Sequence, residues 1–323
     1  MRRLKKFSAI LITIVMISMV LTGCGRGERL MFGTGGTAGT YYAYGGIIGQ
    51  YMTNYAETKV TAVSTGGSKV NIQSIQDGDY QLGFAQSDVL AYAWQGVKSF
   101  AKDGGTQDFR VLGGLYAETV QIITMDESIT SVEQLKGKSV SIGEAGSGVY
   151  FNAVDVLSAA GIDIDKDIKP QYQSFEASKE ALKDGKIDAA FITAGAPTTA
   201  ITELATTNGV SLIHVDGELR DKILETCPYY APLQIPAGTY PGIEEPVETI
   251  TVKATIVVSA KLDEDTVYNL TKAIFDHASE IEMENAKGKE LSLENATEGM
   301  AAPFHTGAAK YYAEHGIIVE SME

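Results

Sequence analysis

The stretch that decides the fold is GTGGTAGTY, from Gly33 to Tyr41. This stretch follows a short apolar strand. After the stretch, apolar residues recur at helical spacing, which predicts a helix from Thr40 to Glu57. The first N–H groups of a helix have no partner within it, and the helix dipole adds about half a positive charge there. Because glycines let a ligand's oxygens approach this backbone, the stretch predicts an anion-binding turn.

Two further runs of small residues have the same character. STGGS, from Ser64 to Ser68, predicts a helix running to Gln76 with Ser68 as its cap. GEAGSGVY, from Gly143 to Tyr150, predicts a helix over 149–160. Three helix starts directed into one cleft would bind an anion without any charged side chain.

The chain contains an internal repeat. IQDGDYQLGFA over 75–85 aligns with LKDGKIDAAFI over 182–192, and each reads as a helix end, an Asp-Gly turn and a buried strand. Strands and helices alternate in the same order around both segments, which predicts two similar α/β lobes with mostly parallel sheets. Ligands are then expected at the carboxyl ends of the strands. The alternative is a chance similarity of two common turns.

Later segments connect and cover these lobes. The segments over 113–125 and 248–259 read as strands that cross between the lobes. The segment over 227–247 holds five of the eight prolines, so we expect an irregular surface loop there. The last seventy residues have a helical pattern, clearest over 262–284, and are expected to pack back onto the first lobe.

The N-terminus reads as an export signal. A positive start is followed by an apolar run over 7–21 and by Leu-Thr-Gly-Cys, which resembles the lipobox of bacterial lipoproteins. This predicts a signal peptide over 1–23, a lipid-anchored Cys24 and a tether over 24–29, with the protein held outside the cytoplasm at the cell membrane. The alternative is an uncleaved membrane anchor, for which the apolar run is short.

Composition restricts the possible partners. Removing the signal takes away four positive charges and lowers the net charge from −15 to −19, so nucleic acid would be repelled. Cys227 is the only other cysteine, which excludes an intramolecular disulfide once Cys24 is modified. We expect a monomer.

The motifs of common enzyme classes are absent from the sequence. The four histidines, His214, His277, His305 and His315, form no pair at metal-binding spacing. There is also no G-x-S-x-G, no C-x-x-C and no lysine after a phosphate-binding loop. The glycines after Gly33 fit a dinucleotide fingerprint poorly, because the third falls one place late. We therefore expect no catalysis, no cofactor and no metal.

The candidate ligand-binding residues lie in the three turns and at the ends of two buried strands. They are Thr34, Gly35, Gly36, Thr37, Gly39, Tyr41, Thr65, Gly66, Gly67, Ser68, Gln86, Ser87, Asp88, Gly146, Ser147, Gly148, Ala194, Gly195 and Pro197. The alternative for the turns is tight packing or ordinary helix capping. Asp88 could accept from a ligand ammonium or hydroxyl, or could cap the next helix. No arginine lies in a candidate turn, so an arginine clamp on a carboxylate is not indicated.

Seven motifs in one order resemble the solute-binding proteins of the TAXI branch of TRAP transporters. They are GTGGTAGTYYAYGG, STGGS, FAQSDV over 84–89, Gly146-Ser-Gly148, AGAP over 194–197, PAGTYPG over 236–242 and FHTGAA over 304–309. The chain departs from the pattern at Val149, where a threonine is usual, and at Thr306, where a proline is usual. His305 belongs to the last motif and reads as a packed structural histidine.

The resemblance implies an α/β two-lobe periplasmic-binding-protein fold of type II, with two crossing hinge strands. We expect lobe 1 to comprise 30–117 and 254–323 and lobe 2 to comprise 118–253. It also implies capture of a small carboxylate, such as glutamate, glutamine or a five-carbon dicarboxylate, and its delivery to a TRAP-type permease. The alternatives are the binding protein of an ABC importer, a sensor subunit and an extracytoplasmic enzyme.

Overall fold

The computed structural model describes residues 29–102 and 104–322. The predicted signal peptide, the lipidated Cys24 and the first residues of the tether lie outside this part of the chain. Among the described residues, no helix combines the length and the apolar character that a membrane span requires.

The strands are β1 Arg29–Gly33, β2 Lys59–Val63, β3 Leu82–Gln86, β4 Phe109–Thr124, β5 Ser139–Ser141, β6 Lys169–Gln171, β7 Ala189–Ala194, β8 Ser211–Ile213, β9 Ala231–Ile235, β10 Val247–Ser259, β11 Phe304–His305 and β12 Ser321–Met322. The α-helices are α1 Thr40–Tyr55, α2 Ser68–Asp77, α3 Ser87–Gln95, α4 Gly148–Ala159, α5 Phe175–Lys183, α6 Thr199–Thr207, α7 Gly217–Thr226, α8 Glu264–Phe275, α9 Ala278–Glu284, α10 Leu293–Thr297 and α11 Thr306–Glu314. Short 3₁₀ turns cover Lys98–Phe100, Val132–Leu135 and Ala286–Glu290.

One sheet runs through the molecule in the strand order β2-β1-β3-β10-β4-β7-β5-β6. We call β1, α1, β2, α2 and β3 the first unit, and β5, α4, β6, α5 and β7 the second unit. Each unit places its first strand between the other two, in the orders β2-β1-β3 and β6-β5-β7. The internal repeat is therefore confirmed as a repeat of topology.

The two long central strands join the units. β10 pairs with β3 through 254–258 and with β9 through 247–251, while β4 pairs with β7 through 119–124. β4 and β10 also pair with each other, with a register shift between Ala254 and Thr255. All of these central pairings are antiparallel, whereas the strands within each unit are parallel. The sheet is thus mixed rather than mostly parallel, because β10 runs antiparallel to β3 of the first unit and β4 runs antiparallel to β7 of the second.

One prediction of secondary structure is wrong, and the helical pattern over 262–284 is confirmed as two helices. The proline-rich segment contains β9, which pairs with β10 and places Pro232 opposite Ile250. A proline lacks an N–H donor but is tolerated in a strand that pairs on one side only. The helical pattern over 262–284 is two helices, α8 and α9, separated at Asp276 and His277. The His277 ring stacks on Tyr55 with the ring centroids 3.7 Å apart, so tertiary packing accompanies the break.

Helix α1 is fixed to the sheet by aromatic packing at its first turn. The Tyr41 ring stacks on Phe84 of β3 at 4.5 Å, and Phe84 stacks on Phe32 of β1 at 5.0 Å. Tyr44, further along α1, is fully buried, and α8 packs on α1 as the sequence predicts. The start of α1 therefore has a defined position at the carboxyl ends of β1 and β3.

Candidate functional site

The first turns of three helices line one cavity. α1 begins after Gly39, α2 begins after Gly67, and α4 begins after Ser147. Residues from all three starts border a cavity of about 60 Å³ that opens to solvent. The first two helices belong to the first unit and the third to the second unit, so the cavity lies between the units.

The two units approach each other closely at this cavity. The amide of Lys69 donates to the carbonyl of Gly146 across the gap at 3.1 Å. A Cβ on Gly67 would lie 3.7 Å from Cα of Ser147, and Gly67 has a positive φ of 97° that favours glycine. A Cβ on Gly148 would overlap the side-chain amide of Gln86. The structure therefore shows the units closed on each other, with glycines at the contact.

Many of the predicted site residues border this cavity. They are Gly35, Gly36, Gly39, Tyr41, Gly66, Gly67, Ser68, Gln86, Ser147, Gly148 and Ala194. Thr37 and Thr65 border an adjoining depression that shares Gly36 and Gly66 with the cavity. Both turns of the first unit and the turn of the second unit thus meet at one place.

Some predicted residues are not in the cavity wall. Thr34 is fully buried and its hydroxyl donates to the carbonyl of Val63 at 2.6 Å. The Ser87 hydroxyl accepts from the amide of Lys253 at 3.0 Å, and therefore binds the backbone of the crossing strand β10. The other predicted residues outside the cavity wall are Asp88, Gly146, Gly195 and Pro197.

The capping role predicted for Asp88 is wrong, and its side chain does not border the cavity. The N-cap position of α3 is Gln86, and Asp88 lies within the first turn of that helix. Its Oδ2 accepts from Asn152 Nδ2 of α4 at 3.0 Å, and the side chain is fully buried. Burial raises the pKa of Asp88 to about 7, with Asp155 adding to this effect. Asp88 therefore connects α3 with α4 of the second unit beside the cavity.

The predicted capping role of Ser68 is also wrong. Gly67 is the N-cap of α2, and the Ser68 hydroxyl accepts from the amide of Gln86 at 3.1 Å. Ser147 does cap its helix, accepting from the amide of Tyr150 at 3.2 Å. His305 is buried, accepts from the amide of Gly307 and has its Nε2 2.9 Å from the carbonyl oxygen of Leu262, as expected for a structural histidine.

The sequence analysis missed several residues of the cavity wall. They are Thr40, Glu118, Gly143, Glu144, Val149, Gln173, Ser174, Phe175 and Thr193. Glu118 and Glu144 correct the expectation of a site without charged side chains. Glu118 had a signal in the sequence, because it is the only charged residue in the otherwise apolar or neutral stretch over 111–124. Gln173 and Phe175 had no such signal in the sequence, because they follow a short strand of mostly polar residues.

Glu118 lies in β4 where this strand passes from one unit to the other. Only 2% of it is exposed, and its Oε1 has no hydrogen-bond partner. Burial raises the pKa of Glu118 to about 8, although the Tyr116 hydroxyl and the charge of Lys287 oppose the shift. Burial also raises the pKa of Glu144 at the other side of the cavity. Within the described part of the chain, no lysine or arginine borders this cavity.

The element order and the mixed sheet with its two crossing strands define an α/β periplasmic-binding-protein fold of type II. Similar solved structures include a binding protein component of an ABC phosphonate transporter from Pseudomonas aeruginosa, with a TM-score of 0.53, 13% identity and coverage of 81% of this chain and 79% of that one. A protein from Bordetella bronchiseptica RB50 gives a TM-score of 0.53 at 16% identity, covering 88% of each chain. The periplasmic binding protein of Salmonella typhimurium with high arginine specificity gives 0.51 at 12% identity, covering 80% of this chain and 98% of that one.

The chain belongs to the NMT1-like family, whose model matches residues 32–316. The finer assignment to the TAXI branch stays a prediction.

Proposed function

We propose that the chain is an extracytoplasmic solute-binding receptor that captures a small carboxylate by closure of its lobes and delivers it to a membrane permease. The observation that carries the proposal is the meeting of three helix starts from both units at one cavity. Neither unit alone supplies the whole wall. A solute that contacts both units therefore favours the closed state by the difference between its affinities for the closed and open states.

The backbone supplies the proposed carboxylate site. The turns around Gly36, Gly67 and Gly148 all border the cavity, and each precedes or opens a helix. An anion at one helix start gains about 0.3–1 kcal/mol when exposed and up to about 2 kcal/mol when partly buried. Several such starts compensate for the absence of a cationic side chain from the described wall.

The proposed lobes follow the two crossing strands. Lobe 1 would comprise 30–117 and 254–323, and lobe 2 would comprise 118–253. In support, the register shift in β10 falls between Ala254 and Thr255. β4 takes up its pairing with β7 at Thr119. Both changes lie near the proposed boundaries, where bending of the two strands would separate the units.

For the permease we propose an ABC importer. The support is the similarity in fold to a binding protein component of an ABC phosphonate transporter. A TRAP-type permease is the second candidate, favoured by the seven sequence motifs. Uptake into vesicles that carry the receptor and its permease separates the two, because an ABC importer requires ATP and a TRAP transporter requires an ion gradient. Uptake that persists without ATP and stops with an ionophore would refute the ABC assignment.

The binding proposal is tested by replacing Gly36 with leucine in the full-length chain purified in detergent. Gly36 borders the cavity, an added Cβ would meet nothing within 4 Å, and its φ is not positive, so the fold tolerates a side chain there. Gly46→Leu is the matched control, since Gly46 is exposed on α1 with equal space around it. The probes are L-glutamate, L-glutamine, glutarate and glutaramic acid.

We expect at least one probe to raise the melting temperature of the wild type by about 5 °C or more at a hundredfold excess over its Kd. Gly36→Leu should abolish that shift while its own melting temperature stays near the wild-type value. Gly46→Leu should retain the shift. Normal binding by Gly36→Leu would show that the cavity is not the solute site.

A further inference from the structure

Five buried polar atoms in the cavity wall have no hydrogen-bond partner: the Tyr41 hydroxyl and four atoms that can accept. Oε1 of Glu118, Oε1 of Gln86, Oε1 of Gln173 and Oγ1 of Thr193 are all buried without a hydrogen-bond partner, and all four residues border the cavity. Glu118 and Gln86 are each only 2% exposed. Buried polar atoms without a partner are destabilising and rare in folded proteins, so such a group indicates atoms that are meant to meet a ligand.

The four atoms that can accept call for hydrogen-bond donors. An amide oxygen and the oxygens of an ionised Glu118 can only accept, and a threonine hydroxyl can do either. The helix starts that also border the cavity present backbone N–H donors instead. The wall thus offers both donors and acceptors, and the two kinds lie close together, since Oε1 of Gln86 lies beside Gly148 at the start of α4.

The charges in the wall point in the same direction. Glu118 and Glu144 both border the cavity, and neither is matched by a lysine or arginine in the described wall. The charge of Lys287 lowers the pKa of Glu118, but Nζ of Lys287 already lies 3.0 Å from Oε1 of Glu290. A cationic group on the solute would supply the missing countercharge, whereas a second anionic group would add repulsion.

We infer that the cavity takes a solute carrying a protonated amine as well as a carboxylate, and that Glu118 binds the amine. This inference rests on the proposed function. The solute belongs to the class of amino acids. Its carboxylate would meet the helix starts, and its ammonium would meet Glu118 together with the oxygens of Gln86 or Gln173. Glu118 is then the residue that distinguishes an amino acid from an acid of the same shape without the amine.

The proton equilibrium of Glu118 gives the inference a specific signature. Burial raises the pKa of Glu118 to about 8, so the carboxyl group of the free protein is mostly protonated at pH 7. The groups facing it are the hydroxyls of Tyr116 and Tyr41, the side-chain amide of Gln86, the backbone amide of Gly195 and the ammonium of Lys287. Binding an ammonium requires the ionised form, so binding would release close to one proton at pH 7. Affinity would then rise between pH 6 and 8, by up to about tenfold per unit.

The test is calorimetry on the full-length chain with two pairs of probes. L-glutamine is compared with glutaramic acid, and L-glutamate with glutarate, since each pair differs only in the amine. Titrations in two buffers of different ionisation enthalpy measure the protons released. The variants are Glu118→Gln, which keeps the shape, and Glu245→Gln, which removes one charge at an exposed position as the control.

We expect the amine-bearing member of a pair to bind at least about 30-fold more tightly to the wild type. A loss of this size is typical when one partner of a buried, hydrogen-bonded charge pair is removed. Glu118→Gln should lose that preference and the proton release, and Glu245→Gln should keep both. Equal binding of both members by the wild type would overturn the inference and leave the proposed function intact. Retention of the preference and proton release by Glu118→Gln would also overturn it. Failure of the wild type to bind any of the four probes would overturn both proposals. The comparison within the wild type does not depend on how well a variant folds.

Discussion

Replacement of Gly148 by alanine should impair closure while leaving the separate units intact. Gly148 is the first residue of α4, and its φ is not positive, so the backbone itself accepts a side chain. The obstacle is Gln86 of the first unit. A Cβ at position 148 would overlap Oε1 and Cδ of Gln86 and would lie 2.8 Å from its Nε2.

The size of the effect follows from this overlap. Carbon atoms make favourable contacts at about 3.5–4.0 Å, so the Gln86 amide would have to move or the units would have to separate. Gln86 is only 2% exposed and borders the cavity, so a displaced amide would enter the space meant for the solute. Overpacking of this kind costs about 1–3 kcal/mol, which corresponds to a loss of affinity of about 5- to 150-fold. In the open form the two residues are apart, so the melting temperature without solute should change little.

The assay is calorimetry with L-glutamine, with small-angle scattering as the measure of closure. Gly46→Ala is the control for a glycine-to-alanine change in a helix without a neighbour within 4 Å. A double-mutant cycle isolates the contact, because Gly148→Ala should cost little affinity in a Gln86→Ala background. If Gly148→Ala alone binds and closes like the wild type, Gln86 adapts freely and the steric argument is wrong.

Two further predictions concern pH and the membrane. The free energy of unfolding without solute should fall between pH 5 and pH 8, because burial raises the pKa of Asp88 to about 7 and that of Glu118 to about 8. The folded protein then retains protons that unfolded carboxyl groups, with pKa values near about 4, have released, so its stability is lost as pH rises. Asp88→Asn should make the slope of denaturant-derived stability shallower by up to about 1.4 kcal/mol per pH unit, and an unchanged slope would contradict the assignment. Lys98 and Asp155 also act on Asp88 and stay in place in this variant. Cys24→Ser should abolish incorporation of labelled fatty acid and release the protein from membranes, whereas labelling that survives the change would exclude Cys24 as the anchor.

Much of the fold could be predicted because its signals are local. The apolar spacing after Thr40 predicted α1 to within two residues of its observed end at Tyr55. The repeated strand and helix order predicted two units of equal topology. Where a prediction failed, a distant neighbour was responsible. β9 forms because β10 offers its free edge, and proline content gives no information about such a partner.

The candidate site was only partly predictable for the same reason. The glycine-rich turns were visible because small residues at a helix start have a local cause. Asp88 was assigned to a ligand or to a cap, but its partner Asn152 lies 64 residues away in the other unit. Glu144 stands inside one of the quoted turns, yet nothing local showed that it faces the cavity.

The sequence by itself determined the helices and strands of the two units, the repeat and the three backbone turns, since these depend on spacing, on propensity and on the conformational freedom of glycine. Only the tertiary structure decided that Glu118 stands in the wall of the cavity and that Gln86 meets Gly148. The physical reason is that contacts between the units depend on how the two crossing strands position one unit against the other. That position is a property of the whole sheet and not of any short segment.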